Sequence, residues 1–382
     1  MSVDFCGEIR MDEIKKAIEI ILEQDPIFRW RIHQNEYGEC YYIEKERGTR
    51  SAEILCTAMQ RREEVIERLS KTFLDIERGE MARFVLQSMT DGVRMFMCVH
   101  HIIADGKSLL CLMRDIIYIC CGRQETYEEE RRKRDFVCEN DFCNVKLDKQ
   151  MNHLRQLVNL RSVRRVHSSE EAKELFCEMT AGYRRTIREW NISGSAYERL
   201  LQQCKKKNVT ITSYLTAKIF EEAKVDGVSL PVDLRKGTKK MGNFVGRIDI
   251  MRCDIEKAKE IWEKAEKIHK ILQSKKAERT FLMAGVKLLA DLEPTFVDDM
   301  IYAQCRGEQN QRVTQVSKIL RYKEKENIIG ISNLNKFEID TEERVVSNLF
   351  FYPPAAIERR AMMGVVSFRD QMSITCQKLE RQ

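Results

Sequence analysis

The amino-acid sequence predicts an α/β protein of two similar-sized domains, and three observations carry that expectation. At 382 residues the chain exceeds what one core ordinarily serves, so two units of about 150 to 200 residues are expected. Apolar residues recur at strand and at helix period in both halves of the chain. Between those halves, residues 123–188 shift to dense charge, which reads as the connection between domains with one or two polar-faced helices. The division is placed at 150, giving units over 1–150 and 151–382. No repeat at solenoid period competes with this reading.

Each element follows from local pattern. Ile14, Ala17, Ile18, Ile21 and Leu22 keep helical spacing until Asp25-Pro26 stops the run. A strand over 27–33, a turn at Asn35-Glu36-Tyr37-Gly38 and a return strand over 41–43 follow. A second helix spans 62–74, with Val65, Ile66, Leu69 and Phe73 inward. Residues 84–86 and 93–101 form a hairpin around Thr90-Asp91-Gly92, since Asp-Gly suits the positive backbone angles of tight turns. A largely apolar helix over 108–121 then ends at Gly122, a natural left-handed cap. In the second half, helices are expected over 212–223 and 255–272, and strands over 230–234, 243–251, 328–332, 345–352 and 364–368.

Composition narrows the function. Hydrophobic residues make up 43% and charged residues 33%, and with only 17 Gly and 5 Pro little low-complexity sequence is left, so a folded, soluble protein is expected. A net charge of +6 with interspersed signs is too small to imply nucleic acid. Arg131-Arg132-Lys133-Arg134 and Lys205-Lys206-Lys207 are either solvated faces or docking points for an anionic small molecule or acidic protein. The 14 cysteines are scattered, many in apolar stretches, and read as reduced thiols of a cytoplasmic protein. Cys138 and Cys143 have the wrong spacing for a zinc knuckle, so no metal is expected. No signal peptide is evident, and the longest apolar stretch, 281–292, contains Lys287 and Asp291 and is too short to span a bilayer.

One motif carries chemistry: His100-His101-Ile102-Ile103-Ala104-Asp105-Gly106. Extending the strand through 101 puts Val93, Met95, Met97, Val99 and His101 on one face, with His100 on the other, so only one imidazole can react. His101 would end the strand beside a helix start, where a ring can look into a cleft. Imidazole titrates near neutrality and suits a general base. Asp105 is expected to fix the loop by pairing with a distant cation, and Gly106 to let the backbone turn sharply. Two adjacent His with a Gly five residues past the second arise by chance about 0.004 times in a chain of this composition, so the motif is specific. No Gly-x-Ser-x-Gly elbow or Cys–His pair suggests a covalent acyl-enzyme.

These seven residues resemble the His-His-x-x-x-Asp-Gly signature of the chloramphenicol acetyltransferase-like superfamily, which includes condensation domains and alcohol O-acetyltransferases. Further segments are similar in family order. They are Asp25-Pro26-Ile27-Phe28-Arg29-Trp30-Arg31-Ile32, Val209-Thr210-Ile211-Thr212-Ser213-Tyr214-Leu215-Thr216-Ala217, Leu230-Pro231-Val232-Asp233-Leu234-Arg235, Gly242-Asn243-Phe244-Val245-Gly246 and Ile331-Ser332-Asn333-Leu334. The Asp-Phe-Gly-Trp-Gly segment of the plant acyltransferases is missing, and the chain is shorter than a typical condensation domain with no attached carrier region, which fits a free-standing acyltransferase.

The resemblance implies two pseudo-symmetric domains, each a mixed sheet flanked by helices, with an active-site tunnel between them. It implies that His101 is the general base, that Asp105 is structural and that Arg235 pairs with it. Asn243, Asn333 and His100 become candidates for lining the tunnel or holding an oxyanion. The implied reaction moves an acyl group from a thioester, acyl-CoA or a phosphopantetheinyl carrier, to a small hydroxyl or amine acceptor. No bound cofactor is expected, because the thioester is a co-substrate. Two alternatives stay open: a free-standing condensation protein using acyl groups on a carrier protein, and a non-catalytic homologue that binds acyl or pantetheine groups.

Overall fold

In a computed structural model of the chain, all residues are described except 8, 47, 48, 50, 160–166, 236, 293–294, 297–299, 301–302, 304–326, 341–344 and 357–359. The first lobe is a five-stranded sheet in the order Val346–Phe350, Ser2–Cys6, Gly92–Val99, Ala82–Met89, Ala52–Thr57. Its pairs are antiparallel except the last, making the sheet mixed. Helices Met11–Gln24 and Gly106–Cys120 cover one face, burying Ile14, Ala17, Ile18 and Ile21 with Leu112, Met113, Ile116 and Ile117 against Met95 and Met97. Each such Ile, Leu or Met side chain taken from water contributes roughly 1.5–3 kcal/mol. Phe96 and Val85 point the other way, onto Val65, Ile66 and Leu69 of helix Arg62–Ser70. The period-2 alternation expected over 93–98 is therefore the one observed.

The second lobe is a six-stranded sheet in the order Val245–Met251, Gly227–Asp233, Ile328–Phe337, Ala361–Phe368, Gln371–Arg381, Tyr183–Ser193. Ile328–Phe337 runs parallel to both neighbours, and the other pairs are antiparallel. Helices Ile211–Glu222 and Ile261–Ala277 pack together, contributing Leu215, Ala217, Ile219, Ala265, Ile268 and Leu272 to its core. Strand Val346–Phe350 comes from the C-terminal half of the sequence yet forms the edge of the first sheet, so the chain is laced through both lobes. No helix among the described residues is long and apolar enough to cross a membrane.

Several boundaries differ from expectation for identifiable reasons. The strand expected at 27–33 opens instead with a 3-10 turn, Pro26–Phe28, because Asp25 Oδ1 accepts the Ile27 N–H at 3.2 Å. The helix expected from 255 starts at Ile261, where Glu263 accepts the N–H groups of Lys259 and Glu260. The strand expected to reach His101 ends at Val99, because its partner begins at Ala82 and the ladder closes with one last bond, His100 N–H to Met81 O at 2.8 Å. Gly122 does adopt the left-handed cap, at φ +70°. The basic run at 131–134 is partly engaged within the chain. Arg134 is buried between Asp25 (3.1 Å) and Asp115 (2.5 Å), and Arg132 and Lys133 pair with Glu128 and Glu129.

A buried ionic knot ties strand Ser2–Cys6 to its surroundings. Asp4 pairs with Arg62 and, at 2.8 Å, with Arg94, and accepts from Asn348 at 3.2 Å. Burial alone would raise its pKa, yet the two guanidinium groups hold it below the ordinary carboxylate value. Asp4→Ala leaves two guanidinium groups facing a vacated site, and we expect a stability loss of about 3–5 kcal/mol in urea denaturation. A loss below about 0.5 kcal/mol, the range of neutral surface substitutions, would contradict that role.

Candidate active site

Residues 100–105 form the loop between strand Gly92–Val99 and helix Gly106–Cys120. Asp105 caps that helix: Oδ1 accepts the N–H groups of Lys107 and Ser108 at 3.1 and 3.0 Å. Its other oxygen reaches into the second lobe, accepting the Phe244 N–H at 3.1 Å and pairing with Arg235 Nη2 at 2.8 Å. Both side chains are nearly sealed, at 2% and 6% exposure. Arg235 in turn donates to Lys240 O at 2.6 Å, Asp233 Oδ1 at 2.9 Å and Gly242 O at 2.8 Å. Burial works against its charge, but the carboxylates of Asp105 and Asp233 raise its pKa above the ordinary arginine value. The distant cation expected for Asp105 is thus Arg235.

The loop is also clamped by its carbonyls. The Asn243 amide donates to His101 O and, at 3.2 Å, to Ile102 O, which also accepts from Tyr42 Oη at 3.2 Å. Asn243 therefore directs its amide at the loop. Asn333 lines the cavity described below; its amide donates to Thr212 Oγ1 at 3.0 Å and its oxygen accepts the Asn335 N–H. Among the described residues one of its amide hydrogens has no acceptor. Lys107 bridges the lobes through Leu334 O at 2.8 Å.

Gly106 is needed for a different reason than backbone freedom. It is an ordinary helical residue, and a Cβ there would sit 2.5 Å from Leu334 Cδ2 and 3.3 Å from Phe351 Cζ. A side chain at the helix start would have to displace the tip of Leu334 from the second lobe.

The two histidines have different environments. His100 is partly buried, and its Nδ1 accepts the Ile102 N–H at 3.2 Å. Burial, helped by the neighbouring His101, lowers its pKa from 6.5 to about 4, so the ring is neutral at physiological pH. His101 lies in the turn after the strand and is exposed. Both rings line a cavity of about 860 Å³ between the lobes. Met97, Val99 and Ala104 of the first lobe and Val232, Ser332 and Met362 of the second contribute to its wall. The exposure of His101 comes from the turn, not from strand alternation. Sequence reasoning missed Tyr42, Lys107 and Ser108 as supports of this loop; no spacing signal marks them.

A mixed-sheet, two-lobed molecule with a cavity at the seam defines a class. The chain has the two-lobed chloramphenicol acetyltransferase-like fold, and its residues 1–149 match the Condensation domain family. Similar solved structures include the epimerization domain from the third module of tyrocidine synthetase B, at 15% identity and TM-score 0.54, covering 99% of this chain and 86% of that one. Polyketide synthase associated protein 5 from Mycobacterium tuberculosis is similar at 12% identity and TM-score 0.59, covering 99% and 88%. The first condensation domain of the CDA synthetase is similar at 11% identity and TM-score 0.54, covering 99% and 84%. No curated protein matches the sequence.

Two outcomes test this geometry. Arg235→Met strands the Asp105 carboxylate and should cost about 3–5 kcal/mol, whereas adding Asp105→Asn should recover part of the loss; additive losses by urea denaturation would contradict the pairing. The depressed pKa of His100 means the unfolded chain binds a proton between pH 6.5 and about 4 that the folded ring does not. Stability should therefore fall as pH drops through that window, and His100→Leu should lose less than the parent between pH 6.5 and 4. Equal losses would contradict the burial.

Proposed function

We propose that the protein is an acyltransferase that moves an acyl group from a pantetheine thioester to a hydroxyl or amine, with His101 as general base. One observation carries this reading: an exposed imidazole, on a loop fixed to the opposite lobe by Asp105–Arg235 and Asn243, lines a cavity that both lobes enclose. The match of residues 1–149 to the Condensation domain family supports the same reading.

In this mechanism His101 removes the proton from the acceptor as its oxygen or nitrogen attacks the thioester carbonyl. The tetrahedral oxyanion then collapses, the C–S bond breaks, and the imidazolium returns its proton to the departing thiolate. Asp105 and Arg235 do not touch the reactants; they hold the loop that aims the ring. Such fixing matters because reacting groups about 3–3.5 Å apart and aligned gain much of their rate from position alone. The remaining amide hydrogen of Asn333 is the candidate oxyanion donor within the cavity.

Acyl-CoA and an acylated carrier protein present the same pantetheine arm, so the site accommodates both donors in principle. Arg131 and Arg134 are engaged internally, whereas Arg132, Lys133 and Lys205-Lys206-Lys207 stay exposed as candidate docking cations for a carrier. Turnover with free acyl-CoA against an acylated carrier protein separates the two donors.

His101→Ala should lose at least about a hundredfold in thiol release while keeping its melting temperature, since base catalysis is worth about 10² to 10⁴. Undiminished thiol release from that variant would remove His101 from the mechanism.

A further inference from the structure

The cavity holds a cation that the mechanism does not use. Arg185 lies on strand Tyr183–Ser193, against which helices Arg62–Ser70 and Ser169–Ala181 both pack, and its side chain lines the cavity. The hydrogen bond it makes among the described residues runs from Nη1 to Gln377 Oε1 at 2.6 Å. Gln377 is itself buried at 2% exposure and donates to Pro353 O at 2.9 Å, which fixes its amide so that oxygen faces the guanidinium. Arg185 is therefore held in place by a neutral group.

Its charge is not neutralised by the described residues. Among the described residues no carboxylate lies within ion-pair distance. The acid that acts on it, Glu67, is bonded to Lys71 at 2.9 Å. Other arginines withdrawn from solvent solve this problem internally: Arg94, Arg134 and Arg235 each hold a carboxylate, and Arg252 donates to the carbonyls of Val225, Phe220 and Ala223. Burial pulls the pKa of Arg185 below the ordinary arginine value, the mark of a charge without a full set of partners. The hydroxyls nearby offer no competition, since Ser70 and Thr180 donate to their own helix carbonyls.

We propose that Arg185 is the recognition group for a carboxylate on the substrate, so that one reactant is an amphipathic acid whose apolar body lies along the cavity wall. A guanidinium fork matches a carboxylate in two parallel hydrogen bonds, and a water-poor site strengthens them. The wall around the same strand and helices is apolar, with Ile66, Leu69, Phe176, Met179 and Leu379. A charged end on a hydrocarbon body is the chemistry that fits both. The proposal rests on the reading of this cavity as the acyl-transfer site, but its test does not require turnover. The phosphate of a pantetheine arm is the competing anion.

The test is calorimetric binding of octanoate, octanamide and 4′-phosphopantetheine to the full chain, to Arg185→Gln, to Arg185→Lys and to His101→Ala. We expect octanoate to bind the parent more tightly than octanamide. Arg185→Gln should weaken octanoate about 10- to 100-fold and leave octanamide unchanged. Arg185→Lys, which keeps the charge, should retain part of the preference and serves if the Gln variant does not fold. His101→Ala should bind octanoate like the parent while losing transfer, so failure of the base assignment and failure of this one are read separately. Equal affinity of the parent for octanoate and octanamide overturns the proposal. So does an Arg185→Gln loss confined to 4′-phosphopantetheine, which would assign the guanidinium to the donor's phosphate.

Discussion

The ion pair between Asp105 and Arg235 is the constraint from which the rest of the site follows. One carboxylate, almost without exposure, closes three tasks at once: it caps helix Gly106–Cys120, accepts the Phe244 N–H and neutralises a guanidinium from the other lobe. Removing two charges from water is expensive, and such a pair is seldom worth more than a hydrophobic contact for stability alone. What it provides is registry. The loop carrying His101 can take only the position that satisfies Asp105, and the Asn243 and Tyr42 contacts then fix its carbonyls.

The close approach at Gly106 belongs to the same constraint. Leu334 and Phe351 lie against the position of a Cβ on Gly106, so the two lobes meet at the helix start, beside the cavity. Strand Val346–Phe350 reinforces that seam by crossing into the first sheet immediately before Phe351. The seam thus presents the exposed His101 imidazole to the cavity.

Much of this was legible in the sequence because the motif sits where helix and strand periods change. Met95, Phe96 and Met97 declare their faces by alternation, and Ile14, Ala17, Ile18 and Ile21 declare theirs by helical spacing. The strands at Ser2–Cys6 and Gln371–Arg381 were not legible, for a common reason. Their inward positions include polar groups: Asp4 meets Arg94, Thr375 donates to Phe351 O and Gln377 donates to Pro353 O. Hydrophobic alternation cannot report a face whose buried members are hydrogen-bonded. Asn243 shows the same limit within the site, since its family position suggested the tunnel while its amide is directed at the His101 loop. Gly106 was read as a residue that lets the backbone turn sharply, whereas it is an ordinary helical residue facing Leu334; packing across the lobes is invisible to local sequence.

The most direct measurement is a crystal structure of the protein with a pantetheine thioether, a donor analogue whose carbonyl is replaced by a methylene. We expect the sulfur and that methylene within about 4 Å of the His101 imidazole, with room beside the ring for an acceptor. An analogue seated elsewhere on the molecule, with the cavity beside His101 unvisited, would contradict the assignment of this seam as the place where acyl transfer occurs.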